Sequence, residues 1–434
     1  MNVVYFHTQD LGRCCSPYGY PVETPNIQRF AEEGVLFKSM FSVSPTCSPS
    51  RTALLTGQYP HEVGLLGLTC QGWRINDYSH HLSAFLKKHG YLTALSGIQH
   101  EDKIPHESLA YDRFLAKQAA VENGRHVIVD KALDFLKEQG ESKDGQPFFL
   151  AVGISENHRH AWDETCDMMS EYWGEPDPRY VRPLPQYPDT PETRKDSAKF
   201  YRAVKYFDFQ VGRLMSVLRE TGLENDTLVI VTTDHGIGMP QIKMNLTDGG
   251  LGVAFMIQAP GFPRGKVIDS MTSTLDFFPF LCEFLGFEKP SWLSGKSFMP
   301  LVKGEDKPMH ESLFFEQHSH AALAVPMRAV RTRRYKYIRN YAKSRSYADV
   351  CSDNLGETFA MLCREGLDKR EYPRELLFDL IYDPNEACNL VSSPEHEDIL
   401  NTMRGKLAEW REKTNDTVDL YQIAESDGLN HDNL

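Results

Sequence analysis

What the chain lacks narrows its function first. Among its 434 residues no apolar run approaches the ~20 needed to cross a bilayer, so no membrane-spanning segment and no membrane partner are expected. Positive charge is short: 47 Lys and Arg stand against 60 Asp and Glu, a formal net charge of −13. Gripping a nucleic-acid backbone takes a basic footprint, so nucleic acid is not an expected partner. A polyanionic substrate would have to be held by local contacts, because the overall field repels it. The nine cysteines, at 14, 15, 47, 70, 166, 282, 351, 363 and 388, include no pair of CxxC units. Neither a zinc knuckle nor a dense disulfide framework is therefore supported. Internal repeats and low-complexity tracts are missing too. The opening MNVVYFHTQD reads as a strand and not as a basic segment followed by an apolar one. A soluble, cytoplasmic protein is expected on that basis.

What is present is an alternation of strands and helices. Asn2 to Thr8 is a β-branched and aromatic run that stops at Gln9-Asp10-Leu11-Gly12. Thr24 as N-cap and Pro25 at the first helical position start a helix that Gly34 ends. Val35 to Phe37, Tyr91 to Leu95, Pro147 to Ile154 and Thr227 to Thr233 are further strand-like runs, the last stopping at Asp234-His235-Gly236. Helical spacing marks His81 to His89 and Phe200 to Glu220, where Val204, Phe207, Val211, Leu214 and Leu218 share one side. Strands apolar on both faces, alternating with helices, predict an α/β domain: a large, mostly parallel sheet sandwiched by helices. Ligands of such sheets collect at the carboxyl ends of strands, which is where Asp10 and Asp234 fall. Beyond about residue 310 the pattern changes. MRAVRTRRYKYIRNY alternates and is basic, predicting exposed antiparallel strands; Leu376 to Tyr382 is another strand, and Ile399, Met403, Leu407 and Trp410 mark a helix face. A catalytic domain over 1–310 and a smaller α+β domain over 311–434 are expected, with a weakly ordered tail after Thr417.

The segment PTCSPSRTALLTG places Cys47 at the mouth of a short helix, with Pro49 in its first turn and Gly57 at its end. Unpaired N–H groups and the helix dipole favour anions there, and Arg51 can point back at the same place. Taken alone, Cys47 is a thiolate nucleophile, a metal ligand or a packed apolar thiol.

Cys47-Ser48-Pro49-Ser50-Arg51 followed by Leu55-Thr56-Gly57 resembles the signature of the type I, formylglycine-dependent sulfatases of the alkaline-phosphatase-like superfamily. The flanking TPNIQRFAEEGVLF and GQYPHEVGL, and the distant LFDLIYDPNEACNL, carry the same likeness. DTLVIVTTDHG, PFFLAVGISENHRH and PMRAVRTRRYKYIRN are similar to the heparan N-sulfatase (sulfamidase) branch. The resemblance implies that a formylglycine-generating maturation enzyme oxidises Cys47 to Cα-formylglycine. It also implies one divalent cation, calcium as a rule, held by Gln9, Asp10, Cys47, Asp234 and His235. Two of these depart from the family pattern: Gln9 stands where an Asp is expected and His235 where Asn is commoner. A nitrogen ligand suits manganese better than calcium.

The same resemblance assigns the catalytic work to Cys47, Arg51, His100, His158 and Lys243. Ile98 takes the place of a family lysine, so one sulfate-binding cation is missing. In the implied reaction a hydrated formylglycine, activated by the cation, attacks sulfur while His158 protonates the leaving oxygen or nitrogen. Arg51 and Lys243 hold the developing charge, and His100 takes the proton whose loss expels sulfate and restores the aldehyde. The expected substrate is a sulfate ester or sulfamate on a sulfated amino sugar such as a heparin or heparan fragment. Candidate pocket residues are Gln71-Gly72-Trp73-Arg74, Arg159 and His160, and the basic stretch from Arg331 to Arg339; all of them equally suit a solvated surface. Two rivals remain at this point. One is a phosphonate monoester or phosphodiester hydrolase of the same superfamily, where an Asp-His pair is common. The other is a non-catalytic sulfated-glycan-binding homologue, motivated by Gln9 and Ile98.

Overall fold

Three apolar strands fill the middle of the molecule because they have no polar face to offer water. They are β1 (Asn2–Thr8), and two that come later in the chain, Phe148–Ile154 and Thr227–Thr233; all three are buried along their whole length. The structure is a computed structural model. It describes residues 1–117, 120–122, 125–142, 145–159, 162, 176–305, 307–320, 323–342, 345–351 and 356–420. After β1 come α1 (Pro25–Glu33), β2 (Val35–Phe37), α2 (Cys47–Thr56), α3 (Leu82–Lys88), β3 (Leu92–Gly97) and β4 (Arg113–Lys117). Then follow α4 (Ile128–Glu141), β5 (Phe148–Ile154), α5 (Pro191–Glu220), β6 (Thr227–Thr233), β7 (Phe255–Gln258), β8 (Lys266–Ile268) and α6 (Phe277–Leu285).

The eight strands form one sheet in the order β8-β2-β7-β6-β1-β5-β3-β4. β1 pairs in parallel with both β5 and β6, and only β7 runs against its neighbours. Successive side chains point to opposite faces, so each strand feeds two cores. Val4, Phe6, Leu150, Val152, Val229 and Val231 pack under α1, α4 and α5. Val3, Tyr5, Phe149, Ala151, Leu228 and Ile230 pack against α2, α3 and α6 on the other side. The result is the expected sheet between helical layers.

Two helix starts differ from expectation. α5 begins at Pro191, ahead of Phe200, because Thr190 accepts from the Thr193 N–H and Pro191 suits the first position. Its first turns bury Thr193, Asp196 and Ser197, polar residues that hide the helix from an apolar pattern. Thr24 precedes α1 but does not cap it with its side chain; its Oγ1 accepts from the Ser16 N–H at 2.9 Å.

A second, smaller sheet holds β9 (Leu313–His320), β10 (Leu323–Arg331), β11 (Tyr335–Asn340) and β12 (Glu375–Asp379), paired antiparallel in that order. These strands are not the exposed ribbons their basic sequence predicts. One face packs on Phe41, Leu246 and Leu251 of the larger unit. The other is covered by α7 (Glu397–Lys413) through Leu400, Met403, Leu407 and Trp410, with Ile399 only partly buried. The charges survive burial because they are paired. Arg328 Nε and Nη2 donate to the two Asp416 oxygens at 2.8 and 2.9 Å, and His61 Nδ1 meets Glu316 Oε2 at 2.6 Å. Burial would raise the Glu316 pKa, but His61 and Arg328 outweigh it and hold the carboxyl well below the usual range. Asp416 thus anchors the end of α7 to the sheet; residues 421–434 of the expected loose tail lie outside the described residues. Among the described residues no helix is long and apolar enough to cross a membrane.

Arg328→Ala removes the buried cation between Asp416 and Glu316. Breaking such a pair costs ~3–5 kcal/mol, so the urea unfolding midpoint should fall; a midpoint equal to the parent's would contradict this reading of the sheet. Glu316, with its lowered folded pKa, adds stability above the unfolded carboxyl range near ~4.3 that is lost as pH falls. Replacing it should therefore flatten the acid limb of the stability curve.

Candidate metal and catalytic centre

Four neighbouring strands, β6, β1, β5 and β3, deliver the candidate residues from their carboxyl ends. Asp234 and His235 follow β6, Gln9 and Asp10 follow β1, His158 lies just beyond β5, and His100 just beyond β3. Helix α2 lies across this opening with every residue buried and Cys47 as its first residue. Thr46, ahead of it, is extended at φ −138° and gives no side-chain cap, and Gly57 closes the helix at φ +69°. Ser50 Oγ ties the helix down by donating to the Asp234 carbonyl at 2.5 Å.

The centre is built on two buried carboxylates. The Asp10 N–H donates to Asp234 Oδ1 at 2.9 Å, and Asp10 itself is held at φ +56°, a left-handed conformation unusual for a residue with a side chain. Such strain collects at functional sites. Glycine is needed at 238, since a Cβ there would lie 2.4 Å from Asp10 Oδ2. Lys243 Nζ donates to both Asp10 oxygens at 3.1 and 2.9 Å, and Arg51 Nη2 to Asp234 Oδ2 at 3.0 Å. His235 Nε2 lies 3.1 Å from Asp10 Oδ1, 3.7 Å from Asp234 Oδ2 and 3.4 Å from Cys47 Sγ. Burial opposes charge on Asp10, yet Lys243, His158 and His235 keep its pKa well below normal. Burial likewise opposes charge on Asp234, and His235 and Arg51 bring it down to about 2. For His235 burial is outweighed by Asp234 and Asp10, which push it up to about 10.

Asp10, Cys47, Asp234 and His235 each place a ligand atom within 4.8 Å of the others. The chemistry of this set fits a divalent cation. His235 Nδ1 bonds the Gly236 carbonyl at 3.0 Å, which fixes the tautomer and turns Nε2 toward the carboxylates, as in metal-binding histidines. Gln9 Nε2 points at Cys47 Sγ, 3.5 Å away, and at His100 Nδ1, 3.2 Å away. A half-turn of the amide brings Oε1 to the same place.

The remaining groups ring this cluster. His158 Nε2 stands 3.8 Å from Asp10 Oδ2 and 3.4 Å from Lys243 Nζ. Its side chain is 22% exposed while those of Asp10, His235 and Lys243 are at most 1% exposed, so solvent reaches the cluster beside His158. His100 is held at φ +63°, and burial together with Arg51 lowers its pKa to about 3. It is a neutral base. Arg51 does not open toward a substrate as expected. Its guanidinium is engaged by Asp234 and by His7, to whose Nδ1 the Nη1 donates at 2.6 Å. Ile98 is fully buried and supplies no cation.

Sequence reasoning missed His7 and Glu101. Glu101 is buried, and burial, opposed by Arg51, raises its pKa to about 8. Each is one or two positions from a residue singled out, and His7 shares the inward phase of Gln9. It also missed β9, whose Gln317 Oε1 accepts from Thr46 Oγ1 at 3.4 Å across 271 positions, a distance that leaves no local signal. The expected pocket residues mostly have other work. Trp73 is packed with Val63, Leu65 and Ile75, and Arg159 is bound to Asp196 at 2.9 Å. Arg331 pairs with Asp248, Arg334 with Asp379, Lys336 with Asp248 and Glu386, and Arg339 with Glu375. The basic strand region is thus held by its acidic neighbours instead of lining a pocket. His160 lies outside the described residues.

Comparison with known proteins agrees with this geometry. The family model "Sulfatase" matches residues 2–287, "C-terminal region of aryl-sulfatase" residues 308–427, and "N-sulphoglucosamine sulphohydrolase, C-terminal" residues 243–353. The N-sulphoglucosamine sulphohydrolase of Homo sapiens is 28% identical over 91% of this chain and 86% of its own length. An ulvan-active sulfatase of Formosa agariphila is 24% identical over 96% and 76%. A solved structure in complex with its substrate D-glucosamine-2-N,6-O-disulfate superposes with TM-score 0.72 at 18% identity, covering 96% of this chain and 99% of that one. A phosphonate monoester hydrolase from Silicibacter pomeroyi shares the fold with TM-score 0.68 at 18% identity, covering 96% of each chain. Fold and centre together define a hydrolase of the alkaline-phosphatase-like class. Within that class the chain belongs to the sulfatase family, enzymes that hydrolyse sulfuric esters and that carry a divalent metal and a formylglycine.

A cation that binds only the folded chain stabilises it, by ~2.7 kcal/mol at a hundredfold excess over Kd. Chelation should therefore lower the melting temperature and a divalent cation restore it, while Asp234→Asn should abolish the response. Equal melting with and without chelator in the parent protein would contradict a metal site here.

Proposed function

We propose that this sulfatase removes the sulfate of a sulfated amino sugar of the heparin or heparan type, as an ester or a sulfamate, at the centre built from Cys47. The observation that carries the reading is the convergence of Asp10, Cys47, Asp234 and His235 at the buried mouth of α2, with Lys243, His158 and His100 around it. The likeness to the human sulphohydrolase, and the sulphohydrolase model over residues 243–353, support the amino-sugar class and favour sulfuryl over phosphonyl transfer. The cation is proposed to be calcium, the family's usual ion, with manganese admitted by the nitrogen of His235. Gln9, Asp10, Asp234, His235 and position 47 are its proposed ligands.

Carried as formylglycine, position 47 supplies a hydrated aldehyde as nucleophile, and the cation supplies Lewis acidity beside it. Every other task falls to side chains already in place. Lys243, which bonds both Asp10 oxygens here, would set its positive charge against the sulfuryl oxygens once a cation takes up that carboxylate. His158, at the solvent-facing edge, holds a proton at Nε2 for the leaving oxygen or nitrogen. His100, neutral and within reach of Cys47 through Gln9, is an acceptor for the proton lost as sulfate departs. Arg51 acts on Asp234 and not on the substrate: its ion pair fixes the carboxylate that α2 must meet.

Cys47→Ala should abolish turnover while leaving the melting temperature measured with chelator equal to the parent's. Intact-mass spectrometry of the parent chain should show a species lighter than the sequence mass, because a CH2SH group has become CHO. Full activity in the variant would refute the proposed centre. His158→Ala should cost ~10²–10³-fold in kcat/KM on a sugar sulfate, whose leaving group needs a proton. On 4-nitrocatechol sulfate, whose leaving group does not, the loss should be about tenfold or less. Equal losses on both would remove His158 from the leaving-group role.

A further inference from the structure

The second sheet reaches the centre through the end of β9. The Glu316 N–H donates to the Val43 carbonyl at 2.9 Å, and Gln317 meets Thr46, the residue before Cys47. The pairing of β9 with β10 then slips: Gln317 faces Met327 but Ser319 faces Ala324, so β10 carries an extra residue around Pro326. Bulges of this kind re-aim side chains, and they recur beside active sites. Past the slip, His320 is half-buried, and the charged groups around it are Lys243, His235, Asp10 and His158. That is the side of the centre where His158 meets solvent.

The end of β9 carries several buried polar atoms with no hydrogen-bond partner among the described residues, on Gln317, His318, Ser319 and His320. Gln317 Nε2 lies on the residue that meets Thr46, and His320 Nδ1 on the one beside Lys243, His235, Asp10 and His158. Buried polar atoms are nearly always satisfied, and Gln317 Nε2 and His320 Nδ1 are open where β9 meets the residue before Cys47 and the groups of the centre, a place for a ligand's polar substituents. Neither is a standing cation: one is an amide and the other an imidazole, beside the charge that Lys243 already supplies. An imidazole and an amide each donate and accept, which matches the hydroxyl and amide substituents of a sugar ring.

Resting on the sulfated-sugar reading above, we propose that Gln317 and His320 are specificity-determining residues. They hydrogen-bond the hydroxyl or nitrogen substituents of the sugar that carries the scissile sulfate and orient its leaving atom toward His158. The slip in β10 places them, and the second sheet thereby supplies part of the substrate pocket.

The test compares parent, Gln317→Leu, His320→Ala and His320→Asn on N-sulfated and 6-O-sulfated glucosamine and on 4-nitrocatechol sulfate, which has no sugar to read. In Gln317→Leu and His320→Ala the ratio of kcat/KM for sugar over aryl sulfate should fall at least tenfold, mainly through KM. His320→Asn, which keeps an amide near the Nδ1 position, should recover most of the ratio. Melting temperatures within a few degrees of the parent exclude a folding defect as the cause. Equal losses on sugar and aryl substrates, or an unchanged ratio, overturn the proposal while leaving the function intact. A parent enzyme active on the aryl sulfate but idle on every sugar overturns the sugar reading, and this proposal with it.

Discussion

Two carboxylates that cannot both be charged without help determine how this centre is made. Asp10 and Asp234 emerge from adjacent parallel strands, joined by the Asp10 N–H donating to the Asp234 carboxylate, with side chains sealed from water. Like charges brought this close in a medium of low dielectric repel strongly. Each neighbouring feature answers that repulsion. Arg51 neutralises Asp234, Lys243 neutralises Asp10, and His235 sits between the two, held in its positively charged form by both carboxylates. A dipositive ion held there would do the same work, with His235 as one of its ligands and Lys243 freed from Asp10. The strained Asp10 backbone and the glycine at 238 follow from the need to bring the two carboxylates so near.

The scaffold makes this possible by register. β6, β1, β5 and β3 lie side by side in one direction, so residues far apart in sequence end on one edge. Helix α2 is apolar at Leu54 and Leu55, which dock it into the core, and polar at its start, where Cys47, Ser50 and Arg51 meet the carboxylates. The helix is short and wholly buried, so its position follows from packing and its first residue can be aimed within hydrogen-bond reach of His235. The second sheet contributes differently. Its basic strands bury charge through Arg328–Asp416 and Lys336–Glu386, and this rigid slab carries β9 to the rim of the centre.

Much of this was legible in the residues themselves. Strands such as Thr227–Thr233 have no polar phase, so their place in a two-sided sheet could be read directly. The turns Gln9-Asp10 and Asp234-His235 stood out as polar stops at the ends of such strands. PTCSPSRTALLTG was legible through its likeness to a known signature, and the family models bear that likeness out. What stayed hidden depends on contacts without local signal. Arg51 looks like a substrate clamp in sequence because nothing there shows that Asp234 and His7 will meet it. The strands around Arg328 and Lys336 read as exposed because a lone basic residue usually is; their buried partners Asp416 and Glu386 are distant in the chain. The start of α5 was hidden by its buried polar residues.

The central claim is that the paired carboxylates of Asp10 and Asp234 are a divalent-cation site completed by position 47. Crystals grown with manganese, with diffraction recorded at its absorption edge, test this most directly. The account predicts one anomalous peak at coordination distance, ~2.0–2.6 Å, from oxygens of Asp10 and Asp234 and from His235 Nε2, with Lys243 turned away from Asp10. Crystals with no peak there, and with Lys243 still bonded to Asp10, would contradict it.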